Sequence, residues 1–163
     1  MAIYRIHNGA AAGAAAPVMV TTGTVIKTML QLAAPSTHRL TIKEWGISFN
    51  GYTAATPIKV ELLTTSGAAT VTAAVAADIT KFDPDSRASF VTLGASATGY
   101  TGGSEGTPGT CRMFDLQFIA PTNQYAWQWP LGDEPVVAVS EFLRIRVTAG
   151  TAVDAYCWIK WAE

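Results

Sequence analysis

Between His38 and Gly51 the chain reads His-Arg-Leu-Thr-Ile-Lys-Glu-Trp-Gly-Ile-Ser-Phe-Asn-Gly, and few architectures accommodate such a stretch. Side chains alternate between the two faces of a strand, so Leu40 and Ile42 share one face. At Lys43-Glu44 the alternation slips by one residue, and Trp45, Ile47 and Phe49 continue the apolar face. A slip inside a strong strand predicts a β-bulge, which bends the strand and re-aims its side chains. Asn50-Gly51 offers the φ > 0 conformations of a tight turn. The segment 57–63 follows, with Ile58, Val60 and Leu62 inward and Lys59 and Glu61 outward. The two segments predict a bent hairpin with one dry face, suited to the spine of a β-sandwich.

The remaining order is consistent with that spine. Ile3-Tyr4-Arg5-Ile6 is strand-like, and residues 9–17 form an Ala/Gly segment ending in Pro17. Such a segment buries little and loses much entropy on ordering, so residues 1–17 are expected to form a flexible N-terminal arm ahead of a single domain, 18–163. Ile26, Thr28, Leu30 and Leu32 share a face, opposite Lys27 and Gln31. Residues 68–78 read as a loop with at most one helical turn, 81–86 as a turn and 89–93 as a strand. The long Gly/Ser/Thr stretch 94–110 reads as a loop. Residues 112–119 alternate, with Met113, Asp115, Gln117 and Ile119 opposite Arg112, Phe114, Leu116 and Phe118. Leu143, Ile145 and Val147 point inward, with Arg144 and Arg146 outward, and 155–161 closes the chain. About eight to ten short strands, no helix of ten residues and turns rich in Gly and Pro predict an all-β, antiparallel β-sandwich of the jelly-roll type.

Charge narrows the function. Hydrophobic residues make up 49% of the 163 and charged residues only 14%, against about 25% in ordinary globular domains. Part of the surface is therefore expected to be buried against partners. A formal net charge of −1 argues against nucleic-acid binding through phosphate neutralisation. No stretch approaches the ~20 apolar residues of a membrane helix. Residues 10–16 resemble a signal-peptide core only faintly, lacking Leu, and no export signal is expected. Cys111 and Cys157 read as buried thiols.

Catalytic chemistry finds little support. His7 and His38 are scattered, there is no Gly-x-Ser-x-Gly elbow, and neither cysteine has a His or Cys nearby for zinc. Asp83-Pro84-Asp85-Ser86 reads as an Asp-initiated turn before it reads as a calcium loop. Gly102-Gly103-Ser104-Glu105-Gly106 lacks the Lys-Ser/Thr of a phosphate loop. The adjacent Asp133 and Glu134 point to opposite sides of an extended chain and cannot flank one glycosidic bond. The reading is of a protein that is not an enzyme, with no cofactor and no metal. Tyr125, Trp127 and Trp129 are the functional candidates: a row of aromatics on one face, either filling a core or subunit interface or stacking on carbohydrate.

The segments 38–51, 57–63, Lys81-Phe82-Asp83-Pro84, 125–132 and 142–147 together resemble small virion proteins of tailed bacteriophages, over most of the chain from about residue 24. The resemblance implies a capsid decoration (cement) or minor capsid protein. Such proteins form jelly-roll homotrimers on the capsid exterior, bridging major capsid subunits. They are made in the host cytoplasm and carry no catalytic residues. A flexible Ala/Gly arm at residues 9–16 is compatible with that role, draping over a neighbour or the capsid floor and ordering only on binding.

Overall fold

The computed structural model describes residues 1–9, 18–51, 56–93, 97–99 and 109–163. Residues 10–17 of the expected arm and most of the 94–110 loop lie outside the described residues. In chain order the strands are β1 (Ile3–His7), β2 (Val20–Thr21), β3 (Lys27–Ala33), β4 (Leu40–Phe49), β5 (Ile58–Thr65), β6 (Thr72–Ala73), β7 (Thr80–Lys81), β8 (Ala97–Gly99), β9 (Cys111–Ile119), β10 (Gln124–Gln128), β11 (Val136–Val137), β12 (Phe142–Thr148) and β13 (Asp154–Ala162). A 3₁₀ turn, Ala76–Asp78, falls in the segment read as a loop with at most one helical turn.

The strands form an all-β sandwich of two antiparallel sheets. One runs β10-β4-β13-β1-β7, with β11 beside β4 and β2 beside β13; the other runs β6-β8-β3-β12-β5-β9. The first long strand pairs with the last, β1 with β13, and β3 pairs with β12. Among the described residues β5 and β9 are the only consecutive long strands that pair; every other connection between long strands crosses from sheet to sheet.

The slip at Lys43-Glu44 is a bulge. Lys160 pairs with Glu44 and Trp161 with Ile42, leaving Lys43 as the extra residue. Leu40, Ile42, Trp45, Ile47 and Phe49 all reach the core on either side of it. The hairpin expected after it does not form. β4 lies in one sheet and β5 in the other. Gly51 is not among the positive-φ residues. It is small for another reason: a Cβ there would stand 2.6 Å from the Pro121 carbonyl oxygen, which Gly51 N–H binds at 2.9 Å.

Three further expectations change. Ile3–His7 is an integral strand rather than arm, with Tyr4 and Ile6 fully buried. Tyr4 stacks on Trp161 at 5.7 Å, and Asn8 extends the pairing by accepting from Cys157 N–H and donating to the Ala155 carbonyl. Arg144 points away from the core as read, yet it is fully buried. The chain after β5 folds over that face, where the Gly67 carbonyl accepts from Arg144 and Gln31 Oε1 accepts from Ala69 N–H and Arg144 Nε. Residues 89–93 are not a strand. Their backbone is tied to side chains and to a strand end, with Phe90 N–H on Glu163 and Thr92 N–H on the Ala33 carbonyl.

Candidate functional site

β9 and β10 are the edge strands of the two sheets, and they lie on the same side of the sandwich. Between them runs a cleft of about 510 Å³. One wall comes from β10 and the residues that follow it. Tyr125 pairs with Ile47 and Trp127 with Trp45, so both aromatics face inward, toward the slot between the sheets. Trp129 lies one residue beyond the strand, but its N–H still reaches the Lys43 carbonyl at 3.3 Å and its ring lines the same cleft. The three aromatics singled out in the sequence therefore do come together. Tyr125 and Trp129 are half-buried against the core, and the Tyr125 ring tilts onto Trp45 at 5.4 Å. Trp127 remains 46% exposed. Trp161 belongs to the core instead, and Trp158 lies on the outer face across Gly46.

The opposite wall is polar, and the sequence did not mark it as a site. Asp115 pairs with Leu62 and Gln117 with Val60, so both point inward. Gln117 Nε2 donates to Asp115 Oδ1 at 2.8 Å, and the Tyr125 hydroxyl donates to Asp115 Oδ2 at 2.8 Å. Gln117 Nε2 also reaches the Tyr125 hydroxyl, at 3.2 Å. The network spans the cleft and ties one sheet edge to the other. Burial and the bond to Asp115 push the Tyr125 hydroxyl up to about 12, so it stays a donor through the neutral range. Phe114, Pro130 and Asp133 complete the lining.

β9 carries a second bulge. Leu62 pairs with Asp115 and Leu63 with Met113, so Phe114 is the extra residue and Met113 leaves the face it shared with Asp115 in the simple alternation. The consequence is an edge strand turned against the usual sense. Its polar residues face the interior slot. Met113, Leu116 and Phe118 face solvent, 48%, 46% and 67% exposed.

The other candidates resolve plainly. Asp83 forms the expected turn, its carboxylate accepting from Asp85 N–H at 3.0 Å. Glu134 is held by Lys43 at 2.8 Å and by Gly132 N–H, which keeps its carboxyl below the usual range, while Asp133 turns to the cleft. Cys111 and Cys157 do not pair; Cys111 is exposed, contrary to expectation, and burial holds the Cys157 thiol well above its ordinary value. His7 stacks on Tyr156 at 4.9 Å and His38 on Phe90 at 4.2 Å. Among the described residues no group of three or more His, Cys, Asp or Glu could hold a metal ion, and no helix is long and apolar enough to cross a membrane. Compared with known proteins, the chain matches no family model, no curated protein and no solved structure.

Proposed function

We propose that this chain is a structural subunit of a bacteriophage particle. It sits on the capsid exterior as a homotrimer and bridges neighbouring major capsid subunits. The observation that carries the self-association is the outward face of β9. Nine residues long and at a sheet edge, it presents Met113, Leu116 and Phe118 to solvent. Long edge strands with apolar faces invite pairing or aggregation unless something covers them. A second copy supplies a cover of matching character, and closed symmetry limits the assembly.

The strand order supports the virion reading. We read β1-β13-β4-β10 facing β3-β12-β5-β9 as the jelly-roll connection, an architecture common to viral capsid and lectin domains. Fold alone does not assign function, and the resemblance to small virion proteins supplies the rest. Three copies attaching together would gain avidity from modest single contacts.

The test is the native mass of the purified chain by light scattering, followed by co-sedimentation with capsids that lack it. The expected species is three copies of 17.2 kDa, 51.6 kDa together. Leu116→Lys with Phe118→Lys should return it to a monomer that no longer sediments with capsids. A wild-type monomer that binds no capsid would refute the proposal.

A further inference from the structure

We propose that the cleft between β9 and β10 binds a neutral saccharide, one sugar ring stacking on the exposed face of Trp127 and its hydroxyls engaging Asp115 and Gln117. The site is separate from the self-association face. Trp127, Asp115 and Gln117 point into the slot, whereas Met113, Leu116 and Phe118 point away from it on the other side of β9.

Three properties of the cleft select the ligand. The first is an aromatic platform on a paired strand. Trp127 is presented from a strand whose next inward residue, Tyr125, is wedged against Trp45 and bonded to Asp115. A tryptophan side chain turns about only two torsions, so it offers a large apolar area at low conformational cost. The second is a polar wall whose open positions are hydrogen-bond acceptors, its amide and phenol donors being spent within the Asp115–Gln117–Tyr125 network. A carboxylate has about four acceptor positions, and the bonds from Gln117 and Tyr125 take two of them. Those bonds also lock its orientation before any ligand arrives. Sugar hydroxyls are donors, which suits a wall that offers carboxylate and amide oxygens as acceptors.

The third property is charge. Asp115 and Asp133 line the cleft, and no Lys, Arg or His is among its described lining residues. A phosphate, a sulfated sugar or a uronic acid would meet uncompensated negative charge. A quaternary ammonium group would suit aromatic faces too. The two carboxylates would attract such a cation as well, but an open cleft of about 510 Å³ is too wide to enclose so small a group on all sides. A single stacked ring implies weak binding per site, in about the millimolar range, which several copies on one particle would raise through avidity.

The experiment screens the purified full chain on an array of neutral glycans. The best binder is then titrated while tryptophan fluorescence and the indole N–H resonances are followed. The expected result is saturable binding that moves the Trp127 indole signal. Trp127→Ala should weaken it at least about tenfold, and Asp115→Asn several-fold. Native mass and circular dichroism, recorded on each variant, should match the wild type. Choline chloride and inorganic phosphate are titrated in parallel. Retention of no neutral glycan, a response to choline or phosphate alone, or binding undiminished in a folded Trp127→Ala variant would each overturn the proposal. None of these outcomes depends on whether the chain forms trimers.

Discussion

The two long sides of the sandwich are finished in opposite ways. On the β1 side the slot between the sheets is plugged. Residues 80–93 run from the edge of one sheet, where β7 pairs with β1, to the end of β3 in the other. Val91 enters the core, and the plug is pinned by Glu163, whose side chain is buried. That carboxylate accepts from the Ser89 hydroxyl at 2.6 Å, Phe90 N–H at 2.9 Å and Trp161 Nε1 at 3.0 Å, while Tyr4 donates to the Arg87 carbonyl. On the β9/β10 side the same slot stays open, walled by aromatics and a three-residue polar network. The difference separates stability from function. Where polar groups close on one another and exclude water they hold the sandwich shut; where they face water they remain able to meet a ligand.

Perturbing the plugged side should give the largest effects. Removing residues 1–9 takes away β1, all its pairing with β13 and the buried Tyr4 and Ile6, and should leave a chain without a cooperative thermal transition. Glu163→Gln keeps the shape but sets an amide against three donors. Urea unfolding should show a loss of about 1–3 kcal/mol, the cost of buried donors left unsatisfied.

A pH titration distinguishes the sides next. Burial, and then the charge of Arg5, lower the His7 pKa from 6.5 to about 4. Above pH 6.5 His7 is neutral in both states and contributes no pH dependence. Below it the unfolded chain takes up a proton that the folded chain refuses. Stability should therefore fall from pH 6.5 down to about 4 and then level off for this group. His7→Phe, which keeps a ring against Tyr156, should flatten that part of a urea-midpoint profile.

The open side should respond least. Trp127→Ala removes a half-exposed ring and should cost no more than about 1 kcal/mol in the same unfolding measurement. A loss on the scale of a core substitution would mean that the cleft is simply an extension of the core.

Much of the architecture was legible in the residues. The bulge at Lys43 announced itself because a strand that must bury one face cannot change phase without an inserted residue. Tyr125, Trp127 and Trp129 could be selected as a row for the same reason. The polar half of the site could not. Asp115 and Gln117 sit on a strand whose simple alternation pairs Met113 with them, and only the bulge at Phe114 separates these residues. No turn chemistry at that point signals it. Arg144 reads as a surface residue because nothing local tells that the chain after β5 returns over it.

By itself the sequence determined that this chain forms strands, which residues share a face along most of them, and where the longest one bends. Those properties depend on neighbours two residues apart. Only the tertiary structure decided which sheet each strand joins, that β4 and β5 lie in different sheets instead of closing a hairpin, and that β9 turns its polar face inward. These outcomes depend on pairings between residues far apart in the chain, such as β1 with β13 across the whole of it. Their energies come from the shared core, which no single segment encodes.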